Sequence, residues 1–440
     1  MCGDVNPEKI PRAVSSVRQA PRQKLDSQDH AAASRTARQE ATWALFVAGF
    51  SSVAVLLAMT VGAVYPGHGF PASAGQSRSG DNEPWPWVRS DAINYRNIVL
   101  RGYDRPGEHK ISNAVFFPGY PFMVWVVSSG TFLQIEWSML AVSLGCFLAG
   151  MALLPDYLVH YSWMDQRQRR LWILLFCLCP SSLFFRAGYS ESMFLFAYVA
   201  FLLAVRSRPG RRWVHAGYWA AWASATRAVG LALPAVLGLH LLRNRAWRSY
   251  GVPAVLLCLG LSGLGLLAVC TYQQLVLGDA LAFWHERAAW HLRPGNASWS
   301  EQITSLLLGN PVWNSRWYRD ADPGRALIDS DCWFCRYHWL NWVSLMLVPL
   351  CLIVSLQKKL VCFEEWLLGL FLWAIPYFSH TYWNYGFSFA RYSLFVFPVY
   401  AVGAWYISRL PQWAVWGFLG ALLILLMFFS YGFGAGCAIF

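Results

Sequence analysis

Charged side chains are scarce in this chain: they make up 13% of its 440 residues, against 56% that are hydrophobic. That balance, with a mean hydropathy of +0.35, excludes an ordinary soluble domain, where about a quarter of residues carry charge. There is no Walker loop, no dinucleotide fingerprint and no Cys/His spacing suited to zinc, so the sequence offers no motif for nucleotide or zinc chemistry. Apart from paired hairpins there is no internal repeat, and no separate soluble domain is visible. The net charge of +12 does not indicate nucleic acid, because the basic residues flank apolar runs, as the positive-inside rule requires.

What the chain has in abundance is apolar length and aromatic rings. The 25 Trp and 20 Tyr suit a protein with many membrane–water boundaries, where amphipathic rings sit at headgroup depth. Apolar runs near the ~20-residue bilayer requirement begin at Trp43–Tyr65 and recur to the C-terminus. The reading is an all-α, polytopic membrane protein with about ten to twelve membrane-embedded segments over residues 43–435. Residues 1–42, polar and mixed in charge, read as a disordered cytoplasmic tail ahead of a signal anchor and are too poor in apolar residues for a cleavable signal peptide.

Basic clusters at 165–170, 206–212, 243–248 and 357–359 fall on the cytoplasmic side in the simplest topology. The turns near 188–192 and 225–227, the loops 66–114 and 278–337, and the stretch 384–392 then share the opposite face. The parity holds only if residues 115–127 form a half-span or lie in the interface. Most of the 11 cysteines fall inside apolar runs as small core residues. Cys332 and Cys335, in "CWFC", are spaced for a local disulfide or stay free. Asn296 begins a glycosylation sequon, a pattern also common by chance.

Ionisable groups beside membrane segments cost roughly 2–3 kcal/mol or more unless paired or hydrated, which makes each a functional candidate. If "SDAINYRNIVLRGY" is helical, Asp91, Asn94, Tyr95 and Ile98 share a face, on a surface helix beside Trp85 and Trp87. Ser90 and Asp91 also suit a plain helix start. Glu191, in "GYSESMF", either favours the first turn of a helix or orients a sugar hydroxyl or a basic partner, and only Arg186 is close in sequence. Arg227 lies among apolar residues and requires an anion, either a substrate phosphate or a carboxylate such as Glu191. Arg391 repeats the pattern, with snorkelling as its other reading. Trp284, His285, Glu286, Arg287, Trp290 and His291 read as an interfacial helix carrying polar groups, or as a solvated amphipathic face. One carboxylate and two or three guanidiniums on the outer face suit a reaction between a lipid-linked phosphate and a hydroxyl. A transporter or lipid flippase of glycan precursors could use the same groups, although the long first outer loop favours a transferase, and a non-catalytic scaffold would make Asp91 dispensable.

Four motifs in order, "SDAINYRNIVLRGYD", "NAVFFPGYPFMVW" (113–125), "CPSSLFFRAGYSESMFLF" (179–196) and "ASATRAVGL" (223–231), resemble the phosphatidylinositol-glycan class V family, mannosyltransferases of GPI-anchor assembly with bacterial relatives. Residues 277–290 and 389–398 extend the similarity more loosely. The resemblance implies a GT-C glycosyltransferase fold and a polyprenyl-phosphate sugar donor such as dolichyl-phosphate mannose. It also implies an acidic catalytic residue in the first outer loop. The family's Trp-Asp motif falls on Ser90–Asp91, so the carboxylate is kept and the Trp is not. Asn94–Tyr95 stands where His–Phe is common, which puts the acceptor in doubt. The Ser-Glu and Thr-Arg pairs match Ser190–Glu191 and Thr226–Arg227.

The expectation is an inverting mannosyl transfer to a glycolipid or glycan acceptor, with Asp91 as base. Arg227 and Arg391 would hold the phosphate, and Tyr95, Tyr189, Ser190, Glu191, Trp284 and His285 would orient substrate. A divalent cation would need a second ligand that the lone Asp91 does not suggest. The resemblance leaves room for a protein partner and gives none to nucleic acid. It places the site on the non-cytoplasmic side of a bacterial inner membrane or of the endoplasmic reticulum.

Overall fold

The computed structural model describes residues 20–65, 84–105, 111–206, 212–291, 298–308, 339–384 and 388–436. All regular structure among them is helical. The tail ahead of residue 20, residues 66–83 and 106–110 of the first loop, most of the loop 278–337, Asn296 and the Cys332/Cys335 pair lie outside the described residues.

Helix α1 (Ala20–Val64) carries the first apolar run and reaches back through residues read from the sequence as tail. After α2 (Asp91–Arg101) come α3 (Gly119–Thr131) and α4 (Ile135–Leu158). They form an antiparallel hairpin in which the Tyr120 hydroxyl, at the start of α3, donates to the Met139 carbonyl on α4 at 3.1 Å. With 13 residues, about 20 Å at 1.5 Å per residue, α3 ends beside the start of α4 without reaching that helix's far end. The segment is therefore too short for a full span, which agrees with the charge parity.

Two broken segments follow. α5 (Gln166–Leu178), started by a capping box from Asp165 and Gln168, gives way at Pro180 to a 3₁₀ turn (Pro180–Phe185), and α6 (Glu191–Arg206) returns. α7 (Arg212–Thr226) breaks at Arg227 into the 3₁₀ turn Ala228–Leu231, then continues as α8 (Ala232–Arg243). None of these helices has the ~20 residues of a full span, so both breaks sit within the bundle. Glu191 and Arg227 stand at them.

A short α9 (Ala246–Tyr250) leads to α10 (Val252–Leu277); α11 (Ala282–His285) is a single turn, and α12 (Trp299–Leu307) is a short helix that packs through Leu306 on Tyr377. The chain re-enters through α13 (Trp339–Gln357), α14 (Phe363–Pro376), α15 (Tyr382–Asn384), α16 (Phe389–Tyr392), α17 (Phe397–Ile407) and α18 (Gln412–Gly434). Among the described residues five helices are long and apolar enough to cross a membrane: Arg38–Val64, Ile135–Leu158, Val252–Leu277, Leu340–Gln357 and Gln412–Gly434. The shorter apolar helices pack against these five. This is the all-α polytopic architecture expected, although the sequence count of ten to twelve embedded segments includes pieces too short to be spans.

Neighbours run α10, α7, α6, α4, α1, α18 in a continuous packed row. Close crossings need glycine. A Cβ on Gly434 would run into the Met59 carbonyl, and one on Gly62 into the Tyr431 carbonyl, so α1 and α18 touch backbone to backbone.

The ends of the bundle differ in charge. Arg170 pairs with Glu40, Arg206 with Glu365, and Arg243 with Glu364 at 3.0 Å. Arg167 reaches the Leu410 carbonyl, and Trp163 donates to the Leu360 carbonyl beside Lys358 and Lys359. Four basic clusters therefore gather at one end. The motif residues gather at the other.

Candidate active site

Helix α2 starts the site. Its first residue is Asp91, preceded by Ser90 at φ 52°, and the Ser90 side chain makes no capping bond. The helix-start reading of Ser90 is thus not realised, although Asp91 does sit in the first turn, where the helix dipole favours an anion. The Tyr189 hydroxyl accepts from the Asp91 backbone N–H and donates to the Arg89 carbonyl, each at 3.2 Å. Trp87 anchors the approach by donating from Nε1 to the Glu136 carbonyl at 2.9 Å, and Trp85, Trp87 and Trp137 pack ring against ring. Tyr95, one turn on, points inward as the shared-face reading expects, and its hydroxyl meets Ser190 Oγ at 2.8 Å. Burial pushes the Tyr95 phenol up despite the nearby Arg227, so it is a neutral hydrogen-bonding group.

The charged side chains form a relay drawn from four distant parts of the chain. Arg391 Nη1 binds Asp91 Oδ2 at 2.6 Å, and its Nε binds Glu191 Oε1. The same Glu191 oxygen takes Arg227 Nη1 at 2.5 Å, and Arg227 also donates to Ser190 Oγ at 3.2 Å. Glu191 is fully buried and Asp91 keeps 24% of its side-chain surface, so the relay runs from a sealed interior to an accessible carboxylate. Glu191 Oε2 is buried with no partner among the described residues. Aromatic faces complete the setting: Arg391 lies over Tyr189 and Phe184 at 4.5 and 5.0 Å, and Arg227 over Tyr392 at 5.8 Å. Such stacking suits guanidinium groups.

Seven of the nine residues singled out from the sequence therefore come together: Asp91, Tyr95, Tyr189, Ser190, Glu191, Arg227 and Arg391. Trp284 and His285 do not touch them. His285 Nδ1 meets Asp279 Oδ2 at 2.6 Å on the surface, and that hydrogen bond holds the Asp279 carboxyl below its usual range. Trp284 is half exposed, with Arg287 over its ring at 4.3 Å. Both side chains lie at the surface, apart from the relay.

Arg186, the base nearest Glu191 in sequence, also turns elsewhere. Fully buried, it donates to Ser51, Ser52 and Ser182. Snorkelling does not describe Arg391, which is buried between two carboxylates. Tyr392 and His380 are further members of this end of the bundle, their rings 5.7 Å apart. The sequence signal for Tyr392 was its place beside Arg391; His380 gave none. No group of three or more His, Cys, Asp or Glu is placed to hold a metal ion among the described residues.

The relay joins motifs whose order is itself a signature. Residues 85–249 match the mannosyltransferase (PIG-V) family. The matched stretch contains Asp91, Glu191 and Arg227, and Arg391 reaches it from outside. The GPI alpha-1,6-mannosyltransferase 2 proteins of Rattus norvegicus and Mus musculus are 34% and 33% identical over 154 residues. Each match takes in 32% of this chain and 29% of the relative, so the chain spans under a third of the length of these curated relatives. Among solved structures, the Archaeoglobus fulgidus oligosaccharyltransferase in its apo form aligns at 14% identity and a TM-score of 0.42, over 88% of this chain and 56% of that one. The A. fulgidus AglB complex with an inhibitory peptide and a dolichol-phosphate aligns at 12% identity and a TM-score of 0.38.

Proposed function

We propose that the chain is a GT-C glycosyltransferase that moves mannose from a polyprenyl-phosphate donor to a hydroxyl of a lipid-linked or glycan acceptor, with inversion at the anomeric carbon. The observation that carries this reading is the relay Asp91–Arg391–Glu191–Arg227, at the end of the bundle opposite the basic clusters and built largely from the segment matching mannosyltransferases.

In the proposed reaction the acceptor oxygen attacks the anomeric carbon as the bond from that carbon to the phosphate oxygen breaks, and the hydroxyl proton passes to Asp91. The lipid phosphate departs on the opposite side. Pairing with Arg391 fixes the direction of the Asp91 carboxylate, leaving Oδ1 to meet the acceptor. Glu191 holds both guanidiniums in place, and its unpartnered Oε2 can accept from a sugar hydroxyl. Arg227 and Arg391 reach the phosphate only through N–H groups not already given to carboxylates. Tyr189 sets the start of α2, and Tyr95 with Ser190 fixes Arg227. The reaction side is the non-cytoplasmic face.

The test is to incubate purified full-length protein with polyprenyl-phosphate mannose labelled in the sugar, together with membrane glycolipid extract. Label should leave the polyprenyl lipid and appear in a product cleaved by an α-specific mannosidase. Label that stays on the lipid, or merely changes leaflet in vesicles, would favour a transporter.

A further inference from the structure

Charge at the relay balances: two guanidiniums, Arg391 and Arg227, face two carboxylates, Asp91 and Glu191. A polyprenyl-phosphate sugar enters as a singly charged diester and departs as a monoester with a charge near −1.5 to −2. Negative charge therefore grows on the leaving group, and neutralised arginines are poorly suited to meet it. A cation without a carboxylate is needed nearby.

Arg287 meets that description. It is half buried, has no carboxylate partner among the described residues, and lies flat over Trp284 at 4.3 Å. The turn that carries it is fastened to the site. Trp290 Nε1 donates to the Ser112 carbonyl at 2.8 Å, and its ring packs on Phe116 at 5.5 Å. Phe116 in turn packs on Tyr95 at 5.0 Å. Arg287 also interacts electrostatically with Tyr392, the ring that lies beneath Arg227. His291, one turn along, stacks on Trp383 with 4.3 Å between centroids and leaves Nε2 buried without a partner. Burial and Arg287 together push the His291 imidazole down to about 4, so at neutral pH it is an uncharged polar group. Around Arg287 are thus aromatic planes and a neutral imidazole, with no competing anion in contact among the described residues.

We propose that Arg287 is the cation that receives the phosphate of the polyprenyl donor and holds it as it leaves, with His291 supplying a neutral hydrogen-bonding group beside it. This rests on the transfer reading above. The ligand class is a lipid phosphate ester, and Trp284 and Trp383 offer the apolar surface that its first isoprene units would cover.

The experiment uses detergent-purified full-length protein and farnesyl phosphate as probe, with farnesol and inorganic phosphate as comparators. Wild type should bind farnesyl phosphate in preference to farnesol. Arg287→Gln, which keeps the side-chain stem over Trp284, should weaken farnesyl phosphate binding about tenfold or more and leave farnesol binding unchanged, and Arg287→Lys should recover part of the loss. Unchanged affinity in both Arg287→Gln and Arg287→Ala, with elution as wild type, overturns the proposal. So does inorganic phosphate competing as well as the lipid phosphate, since the site would then belong to the free ion.

The two readings separate. A protein that binds farnesyl phosphate through Arg287 but transfers no mannose retains the anion site and loses the transferase assignment. A protein that transfers mannose with the same donor KM after Arg287→Gln retains the assignment and loses the site.

Discussion

At the scale of single residues, Glu191 bears the heaviest constraint. It is fully buried and offsets two buried guanidiniums through one oxygen. Removing one partner of a buried ion pair costs about 3–5 kcal/mol because a charge is left alone in a poorly solvated place. Glu191→Gln should therefore lower thermal stability of the purified protein by several degrees, followed by tryptophan fluorescence, as well as reduce transfer. Asp91→Asn touches the accessible end of the same relay and should leave the melting temperature within a degree or two.

His291 gives a pH test. Its imidazole is pushed down to about 4 from an ordinary value near 6.5, so between those values the unfolded chain takes up a proton that the folded one refuses. The contribution is intact above about 6.5 and is lost as pH falls toward 4. His291→Phe should flatten the fall in melting temperature over that window.

The charged candidates were legible because each interrupts an apolar run. The Arg227–Glu191 pair was one of the readings, whereas the pair between Asp91 and Arg391 was hidden, since 300 positions separate them. The partners of Arg186 were equally hidden, because serines on an apolar helix give no sign of the guanidinium they face.

At the scale of elements, the site depends on helices that stop early. α6 and the 3₁₀ turn after α7 begin inside the bundle, which lets Glu191 and Arg227 meet at the level of Tyr95. The sequence showed this as paired short segments between basic clusters, and charge parity called for the α3 segment to be a half-span or to lie in the interface. What it concealed was helix contact, because glycine is a weak signal in an apolar run. Gly434 abuts the Met59 backbone, whereas Gly49, on the same α1 as Met59, faces open space. Gly434→Ala should destabilise the protein by about 1–3 kcal/mol. Gly49→Ala should be neutral or stabilising, since alanine is the better helix former by roughly 1 kcal/mol. Melting of the two variants side by side checks the α1–α18 crossing.

At the scale of the whole molecule, the two ends carry different chemistry. One holds Arg170, Arg206 and Arg243 against Glu40, Glu365 and Glu364, with Arg167 on the Leu410 carbonyl; the other holds the relay. Charge asymmetry of this kind orients a helical membrane protein. In intact cells an impermeant maleimide should label Leu281→Cys, and should reach Arg167→Cys only after permeabilisation, both in a cysteine-depleted background. Hydropathy and basic clusters made this polarity readable in advance. The sequence did not foretell that the acidic partners at the basic end would come from α1 and α14, because Glu40 and Glu365 look like ordinary helix-end residues.

The most direct measurement of the central claim is the rate of mannose transfer from labelled polyprenyl-phosphate mannose by Asp91→Asn beside wild type, with both proteins folded and inserted. A fall of about 10²–10⁴-fold, the range for loss of a general base, with donor binding retained, is the predicted result. Transfer at the wild-type rate would contradict the account, because the accessible carboxylate of the relay would then have no part in the chemistry.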